Sequence, residues 1–280
     1  MTFTLKNVTA AMAYADGWLN YWRQHRQLGA LGVLVRWQGE TVLRHVSGSA
    51  KPDHLFAIAS NSKMFTATAI MQLCEAGLLK LDDPVVQHLP WLKEHSDRRW
   101  RKVTIEHLLT HGAGITRDGT RADYWNGGVR PPDKQQLVED ILRERLYYPP
   151  GKTFKYSNYG YGLLGLVVEA ASGTEYKNYI KANIIRPLGL KHSRFDDELD
   201  LPTVKGEGGF RLGQRGKVPV LSMRALAPAA GLWSTLDDLA RFGEELAWGG
   251  AADFKNKSEA DAQPLYADGT ESAPEIRAWF

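Results

Sequence analysis

The stretch FAIASNSKMFTATAI, residues 56–70, decides how this chain is interpreted, because it places a serine and a lysine at the start of an apolar helix. Ser60 ends a short apolar run, and Lys63 comes three residues later. Residues three apart in a helix lie on one face, about one turn from each other. A lysine head is expensive to bury among apolar neighbours unless another group uses or pairs it. Lys63 is therefore either a stray surface charge or a group that activates Ser60.

The spacing of Ser60 and Lys63 has a chemical use. A serine hydroxyl is a poor nucleophile at neutral pH, so a hydrolytic serine needs a partner that takes its proton. A buried lysine loses its own proton at a far lower pH than a free lysine. Ser60 is also the only serine in the sequence with a lysine at the third following position. Spacing alone nevertheless leaves both interpretations of Lys63 open.

A second group of polar residues follows a rigid turn in PPGKTFKYSNYGYGLLG, residues 149–165. A phenol held near a lysine can share its proton, and an asparagine amide can fix both lysine and substrate. Tyr156 and Asn158 supply these two groups between the turn and an apolar helix. The same Tyr-x-Asn spacing starts at Tyr124 and at Tyr176, so the triplet is not selective. Tyr176 lies in a helical pattern that favours packing, whereas Tyr124 lies in a loop and stays open.

Five segments in a fixed order carry a family resemblance. Over roughly residues 30–245 the chain resembles the penicillin-recognising serine hydrolases, especially class C β-lactamases, DD-peptidases and β-lactamase-like esterases. The segments are FAIASNSKMFTATAIMQLCEAGLLKLDDPV (56–85), LLTHGAG (108–114), PPGKTFKYSNYGYGLLG (149–165), PLGL (187–190) and AGLWSTLDDL (230–239). Each segment alone is modest, but the ordered set is highly specific.

The resemblance implies acyl transfer on a small-molecule ester, amide or β-lactam, with no cofactor. Ser60 would attack a carbonyl, Lys63 and Tyr156 would move the proton, and Asn158 would position the groups around them. A covalent acyl-enzyme would form, and water would release the acid. Whether Lys63 or Tyr156 is the resting base stays open, since the matching assignment is disputed for related lactamases.

One departure from the family concerns its third motif, Lys/His-Thr/Ser-Gly or Trp-x-Gly, which lies on a late strand. In the family this strand provides the second of two hydrogen-bond donors to the oxyanion, and the Ser60 backbone N–H would provide the first. Trp248-Gly249-Gly250 has the letters but directly follows a helical pattern and is typical of a helix C-terminus. Residues 251–280 are polar and are expected to form a poorly ordered tail. We therefore expect the family fold without its C-terminal strands, through truncation or an altered reading frame. The alternative function is a catalytically impaired or non-catalytic remnant that binds a ligand or partner.

The predicted fold is α+β, of the β-lactamase/transpeptidase type, with residues 1–250 forming a single catalytic domain. A helical lobe would stand against an antiparallel sheet flanked by helices, and the sheet would be incomplete at the C-terminus. Two β-rich runs, residues 32–37 and 41–46, are joined by Gln38-Gly39-Glu40, which predicts a hairpin. Residues 8–26 predict an amphipathic helix before it.

Composition excludes several other classes of function. The chain has 280 residues with 35 basic and 32 acidic side chains, a net charge of +3 that is too small to indicate nucleic-acid binding. No segment approaches the roughly 18 apolar residues of a membrane span, and the N-terminus lacks a secretion signal, so we expect a cytoplasmic protein.

The single cysteine, Cys74, excludes an internal disulfide. His107 and His111 have metal-ligand spacing but lack a third ligand, so no metal is predicted. The sequence does not predict the oligomeric state.

Overall fold

The computed structural model describes residues 4–119, 122–126, 129–211 and 214–248. Helices and short antiparallel strands alternate along it. The helices are α1 (Leu5–His25), α2 (Ser62–Glu75), α3 (Val85–His88), α4 (Ile105–Leu109), α5 (Lys134–Arg143), α6 (Asn158–Ser172), α7 (Tyr176–Ile180), α8 (Ala227–Ala230) and α9 (Leu236–Trp248). The strands are β1 (Ala30–Trp37), β2 (Glu40–Gly48), β3 (Phe56–Ala57), β4 (Arg194–Phe195), β5 (Gly206–Arg211), β6 (Gln214–Val218) and β7 (Leu232–Ser234).

The β1–β2 hairpin lies between two helices. Its strands pair antiparallel, from Ala30 opposite Gly48 to Trp37 opposite Glu40. Arg44 of β2 pairs with Asp237 of α9, and the next residue, His45, is 2.7 Å from Asp16 of α1. Successive side chains of a strand point to opposite faces, so α1 and α9 cover opposite faces of the hairpin. This confirms the predicted sheet flanked by helices.

The helical lobe is built around α2, which is buried on most of its circumference. Its Phe65 ring stacks on Phe242 of α9, with ring centroids 3.8 Å apart. Helix α6 packs close to α2 and α8, and a Cβ at Gly165 would collide with the ring of Pro228. Small residues let helix backbones approach closely, and this approach brings α8 to the start of α2.

A three-stranded antiparallel sheet, in the order β3-β7-β4, joins the two parts of the fold. Phe56 pairs with Ser234, and Ala57 pairs with Trp233. Strand β3 leads directly into the turn that carries Ser60. The sheet therefore anchors the backbone on the N-terminal side of the serine.

The structure confirms the main predicted elements and corrects their boundaries. The predicted helix 8–26 is α1, and the predicted strands 32–37 and 41–46 are β1 and β2, each slightly longer. The turn between them has φ of 49° at Gln38 and 79° at Gly39, a geometry that hairpin turns favour.

Helix α9 begins one residue later than its local sequence indicates. Ser234-Thr235-Leu236-Asp237 has the spacing of a capping box that begins at Ser234, but Ser234 belongs to β7. The Thr235 hydroxyl instead accepts a hydrogen bond from the Asp238 N–H at 3.3 Å, so Thr235 caps α9. Strand pairing with β3 holds Ser234 extended, and the helix starts after it.

In the described residues, the sheet that contains β1 has two strands. The predicted lack of C-terminal strands remains a prediction. The predicted tail, residues 251–280, and Gly249-Gly250 of the Trp-x-Gly sequence lie outside the described residues. No helix in the described part is long and apolar enough to span a membrane. The single catalytic domain and the cytoplasmic location remain predictions.

Candidate active site

Ser60 lies in a short 3₁₀ turn, Ala59–Asn61, between β3 and α2. Helix α2 itself begins at Ser62, two residues after the serine. Ala59 has a φ of 46°, a left-handed conformation that costs a residue with a Cβ about 1 kcal/mol or more. Such strain persists only where the surrounding fold imposes it. Here Ser60 is exposed to solvent just before the N-terminus of α2.

The Ser60 hydroxyl is in contact with both side chains that the sequence selected as proton carriers. Its Oγ lies 2.7 Å from the Tyr156 phenol oxygen. Lys63 Nζ lies 3.3 Å from the same Oγ. The structure therefore brings together the serine, the lysine and the tyrosine that the sequence selected, which are up to 96 residues apart in sequence.

Lys63 is held at this point by two buried acceptors. Its Nζ donates to Asn158 Oδ1 at 2.8 Å and to the Ala229 carbonyl oxygen at 2.9 Å. Only 7% of its surface is exposed. Burial lowers the pKa of Lys63 from 10.5 to about 7, against the opposing effect of the Asp118 carboxylate. A lysine of this kind exists as both ammonium and free amine at neutral pH.

Tyr156 is fixed between the Pro-Pro-Gly turn and the first residue of α6. The following residue, Ser157, caps α6 by accepting from the Gly160 N–H at 2.8 Å, and it donates to the Thr116 carbonyl at 2.6 Å. The Tyr156 ring lies 4.4 Å from the His111 ring. The cap and the ring contact together hold the phenol over Ser60.

The other two Tyr-x-Asn sequences lie elsewhere. Tyr176 is buried, and its hydroxyl lies 2.8 Å from Thr66 Oγ1, so it packs as the sequence indicated. Tyr124 is buried too and donates to Asp118 Oδ1 at 2.9 Å. Neither phenol contacts Ser60 in the described structure; Tyr156 alone of the three does so.

His107 and His111 face different partners, although they are four residues apart. His107 Nδ1 accepts from the Thr104 N–H at 3.2 Å and closes the cap of α4. His111 Nδ1 accepts from the Ser157 N–H at 3.2 Å. Burial, with Lys63 nearby, lowers the pKa of His111 to about 4, so its ring is neutral at neutral pH. Both histidines therefore have structural partners.

Three residues around the site were not among the catalytic or substrate-binding candidates of the sequence. They are His111, whose ring packs against Tyr156, and the adjacent Arg117 and Asp118. Arg117 lies over the Tyr156 ring at 5.5 Å, and Asp118 is buried behind Asn158. The available signal was their position, since His111 lies within LLTHGAG, residues 108–114, and Arg117 and Asp118 follow this segment, which the resemblance had already marked.

A helical lobe against a sheet flanked by helices, with Ser60 and Lys63 at their junction, is the arrangement of the β-lactamase/transpeptidase class of folds. The chain belongs to the beta-lactamase family, whose model matches residues 6–278. This agrees with the resemblance that the sequence segments carried.

Among curated proteins, Protein flp of Staphylococcus aureus (strain MW2) is 34% identical over 187 residues, which cover 66% of this chain and 36% of that protein. Penicillin-binding protein 4* of Bacillus subtilis (strain 168) is 34% identical over 178 residues, covering 58% and 37% respectively. The chain thus spans little more than a third of the length of these relatives.

Solved structures show the same fold. The octameric penicillin-binding protein homologue from Pyrococcus abyssi superposes with a TM-score of 0.73 at 28% identity, covering 84% of this chain and 56% of that one. A D-stereospecific amidohydrolase from Streptomyces sp. superposes with a TM-score of 0.72 at 22% identity, covering 93% and 76%. The second likeness supports the fold alone.

Proposed function

We propose that this chain is a serine hydrolase that forms an acyl-enzyme on Ser60. The observation that carries the proposal is the contact of one exposed hydroxyl with the Tyr156 phenol at 2.7 Å and with the buried Lys63 at 3.3 Å. A serine needs an adjacent base to act as a nucleophile. Family membership supports hydrolase chemistry in general.

The proposed reaction has two halves. Ser60 Oγ attacks the substrate carbonyl, and its proton passes to Tyr156 or Lys63. The carbon–leaving-group bond then breaks, and the leaving group takes up that proton. In the second half water attacks the carbonyl of the resulting ester, the bond from the acyl carbon to Oγ breaks to release the carboxylic acid, and one hydrogen of the water passes to Ser60 Oγ. Asn158 holds Lys63 Nζ throughout, through the contact at 2.8 Å.

The identity of the resting base stays open between Lys63 and Tyr156. A pKa of about 7 makes the Lys63 amine available near neutral pH, which supports direct proton acceptance. The Tyr156 oxygen lies closer to Ser60 Oγ, at 2.7 Å against 3.3 Å for Lys63 Nζ, which supports Tyr156 as the group that first accepts the serine proton. Both observations fit a proton shared among the three groups.

The proposed substrates are small esters and amides, with β-lactams as a second, weaker class. Their shared chemistry is an acyl carbon that a serine can attack. The curated relative named a penicillin-binding protein supports an acyl-transfer site. The rival proposal is a catalytically impaired or non-catalytic remnant that binds a ligand or partner without turnover. It is kept because no residue has been assigned as the second hydrogen-bond donor to the oxyanion.

Intact-mass measurement separates the two proposals. The folded protein is incubated with a chromogenic short-chain ester and, separately, with a β-lactam, and both hydrolysis and mass are followed. We expect an acyl adduct that is absent in Ser60→Ala and present in Ser49→Ala, which changes an exposed serine after β2. If the folded wild type shows neither adduct nor hydrolysis, the hydrolase proposal is wrong and the ligand-binding remnant is favoured.

A further inference from the structure

Asp118 is a buried carboxylate next to the site, and the acyl-transfer steps above do not use it. Only 6% of the residue is exposed. Its Oδ1 accepts from Asn158 Nδ2 at 2.6 Å and from the Tyr124 hydroxyl at 2.9 Å. Its Oδ2 lies 3.1 Å from Arg117 Nε. A buried charge is retained at low cost only when such partners surround it.

The contact with Asn158 determines which way the Asn158 amide faces. A carboxylate accepts hydrogen bonds and cannot donate them, so Asp118 can meet only the NH₂ end of the amide. The oxygen end is then turned to Lys63 Nζ, 2.8 Å away. The Asn158 backbone N–H also donates to the Arg117 carbonyl at 2.8 Å, so the loop and the start of α6 are joined at two points.

The carboxylate also places a negative charge behind Lys63. Four other charged or titratable groups face Lys63. Two are tyrosine rings, whose centres lie 4.8 Å (Tyr156) and 5.3 Å (Tyr161) from Lys63 Nζ. The other two are the side chains of Arg117 and His111. His111 is neutral at neutral pH, and Arg117 disfavours a second positive charge. Asp118 is the group among them that favours the ammonium form of Lys63.

We propose that Asp118 is a positioning residue of the acyl-transfer site: it holds the Asn158 amide with its oxygen on Lys63 and supplies the negative charge that opposes the desolvation of Lys63. The inference rests on the proposed roles of Ser60 and Lys63. Without the carboxylate, the amide can turn over and point its NH₂ group at the lysine, which places donor against donor when Lys63 is charged.

Two substitutions separate orientation from charge. Asp118→Asn keeps an oxygen that can accept from Asn158 but removes the charge. Asp118→Ala removes both the acceptor and the charge. For Asp118→Asn we expect a KM near that of wild type and a kcat/KM profile whose Lys63-dependent limb is displaced to lower pH by about one unit, because loss of a nearby anion lowers a lysine pKa.

For Asp118→Ala we expect kcat to fall about 10²-fold, the effect of a misplaced reacting group, with partial rescue in Asp118→Asn. Asp140→Asn is the matched control, since Asp140 is a buried carboxylate of α5 that accepts from the Tyr159 hydroxyl at 2.9 Å. It should leave the Lys63-dependent limb where wild type has it. If Asp118→Ala does not fold, Asp118→Asn still tests the effect of the Asp118 charge on Lys63.

A second readout does not depend on turnover. The Lys63 side-chain carbon resonance, assigned by its absence in Lys63→Ala, is titrated by NMR in wild type, Asp118→Asn and Asp140→Asn. A Lys63 pKa that falls in Asp118→Asn alone supports the inference. Equal titration in all three proteins overturns it, even if Ser60 is acylated. An unreactive Ser60 in wild type instead contradicts the proposed function, and the titration still tests Asp118.

Discussion

Replacing Lys63 by methionine is expected to change how protein stability depends on pH. The pKa of Lys63 is about 7 in the folded protein, against 10.5 for an exposed lysine. Between these values the unfolded chain binds a proton that the folded protein does not bind. The free energy of unfolding of wild type therefore rises with pH in this window through Lys63, by about 1.4 kcal/mol per pH unit at most.

The magnitude follows from the same two pKa values. From pH 7 to pH 10 the Lys63 contribution should increase by up to about 4 kcal/mol, and Lys63→Met lacks this increase. The substitution also leaves Asn158 Oδ1 and the Ala229 carbonyl without their lysine donor. That loss costs about 1–3 kcal/mol for each acceptor and does not vary with pH in this range. The slope of the difference is therefore more diagnostic than its value at one pH.

The assay is urea unfolding at pH 7, 8, 9 and 10 for wild type, Lys63→Met and Lys152→Met. Lys152 is exposed, and its substitution controls for the loss of one positive charge. Other groups titrate in all three proteins, and their contributions cancel in the differences. We expect the stability of wild type relative to Lys63→Met to increase as the pH rises from 7 to 10. Parallel curves for wild type and Lys63→Met would show that Lys63 is not desolvated, and they would refute the reasoning.

Three further predictions concern the site and the packing around it. Tyr156→Phe should slow acylation of Ser60 by about 10²–10⁴-fold, the usual range for loss of a proton-transfer group, with an unchanged melting temperature; a wild-type rate would exclude the phenol from the mechanism. Phe65→Ala should destabilise the protein by about 3–5 kcal/mol, because the fully buried ring stacks on Phe242; a loss below about 1 kcal/mol in urea unfolding would contradict this packing. Gly114→Ala should lower stability by about 1 kcal/mol or more, since Gly114 has a φ of 75° and a Cβ there would meet the Tyr148 carbonyl oxygen; an unchanged midpoint of unfolding would contradict it.

The sequence was sufficient to predict elements whose cause is local. Helix α1 follows from its amphipathic pattern, the β1–β2 hairpin from its Gly-containing turn, and α6 from the apolar run after the Pro-Pro-Gly turn. The three-residue spacing of Ser60 and Lys63 also survives in the structure, with 3.3 Å between their side chains. Each of these features depends on backbone geometry over a few residues, which the side chains themselves specify.

The order of the motifs predicted which distant groups would meet, and this prediction came from the family resemblance. Tyr156 and Asn158 are more than 90 residues from Ser60 and Lys63, yet they lie within hydrogen-bonding distance of them. The Tyr-x-Asn spacing did not distinguish Tyr156 from Tyr124. The choice depends on the fold, because Ser157 caps α6 and turns Tyr156 toward Ser60.

Tertiary structure alone decided the electrostatics of the site. Asp118 looked like an ordinary loop residue in the sequence, and Lys63 like one of many lysines. Packing of the loop against the start of α6 buries Asp118 behind Asn158, and packing of α8 against α2 sets the Ala229 carbonyl on Lys63 Nζ. A pKa depends on desolvation and on charges within a few ångströms. The sequence by itself therefore identified the chemistry available at Ser60 and Lys63, whereas the environment that tunes it was determined by long-range packing, which local patterns do not encode.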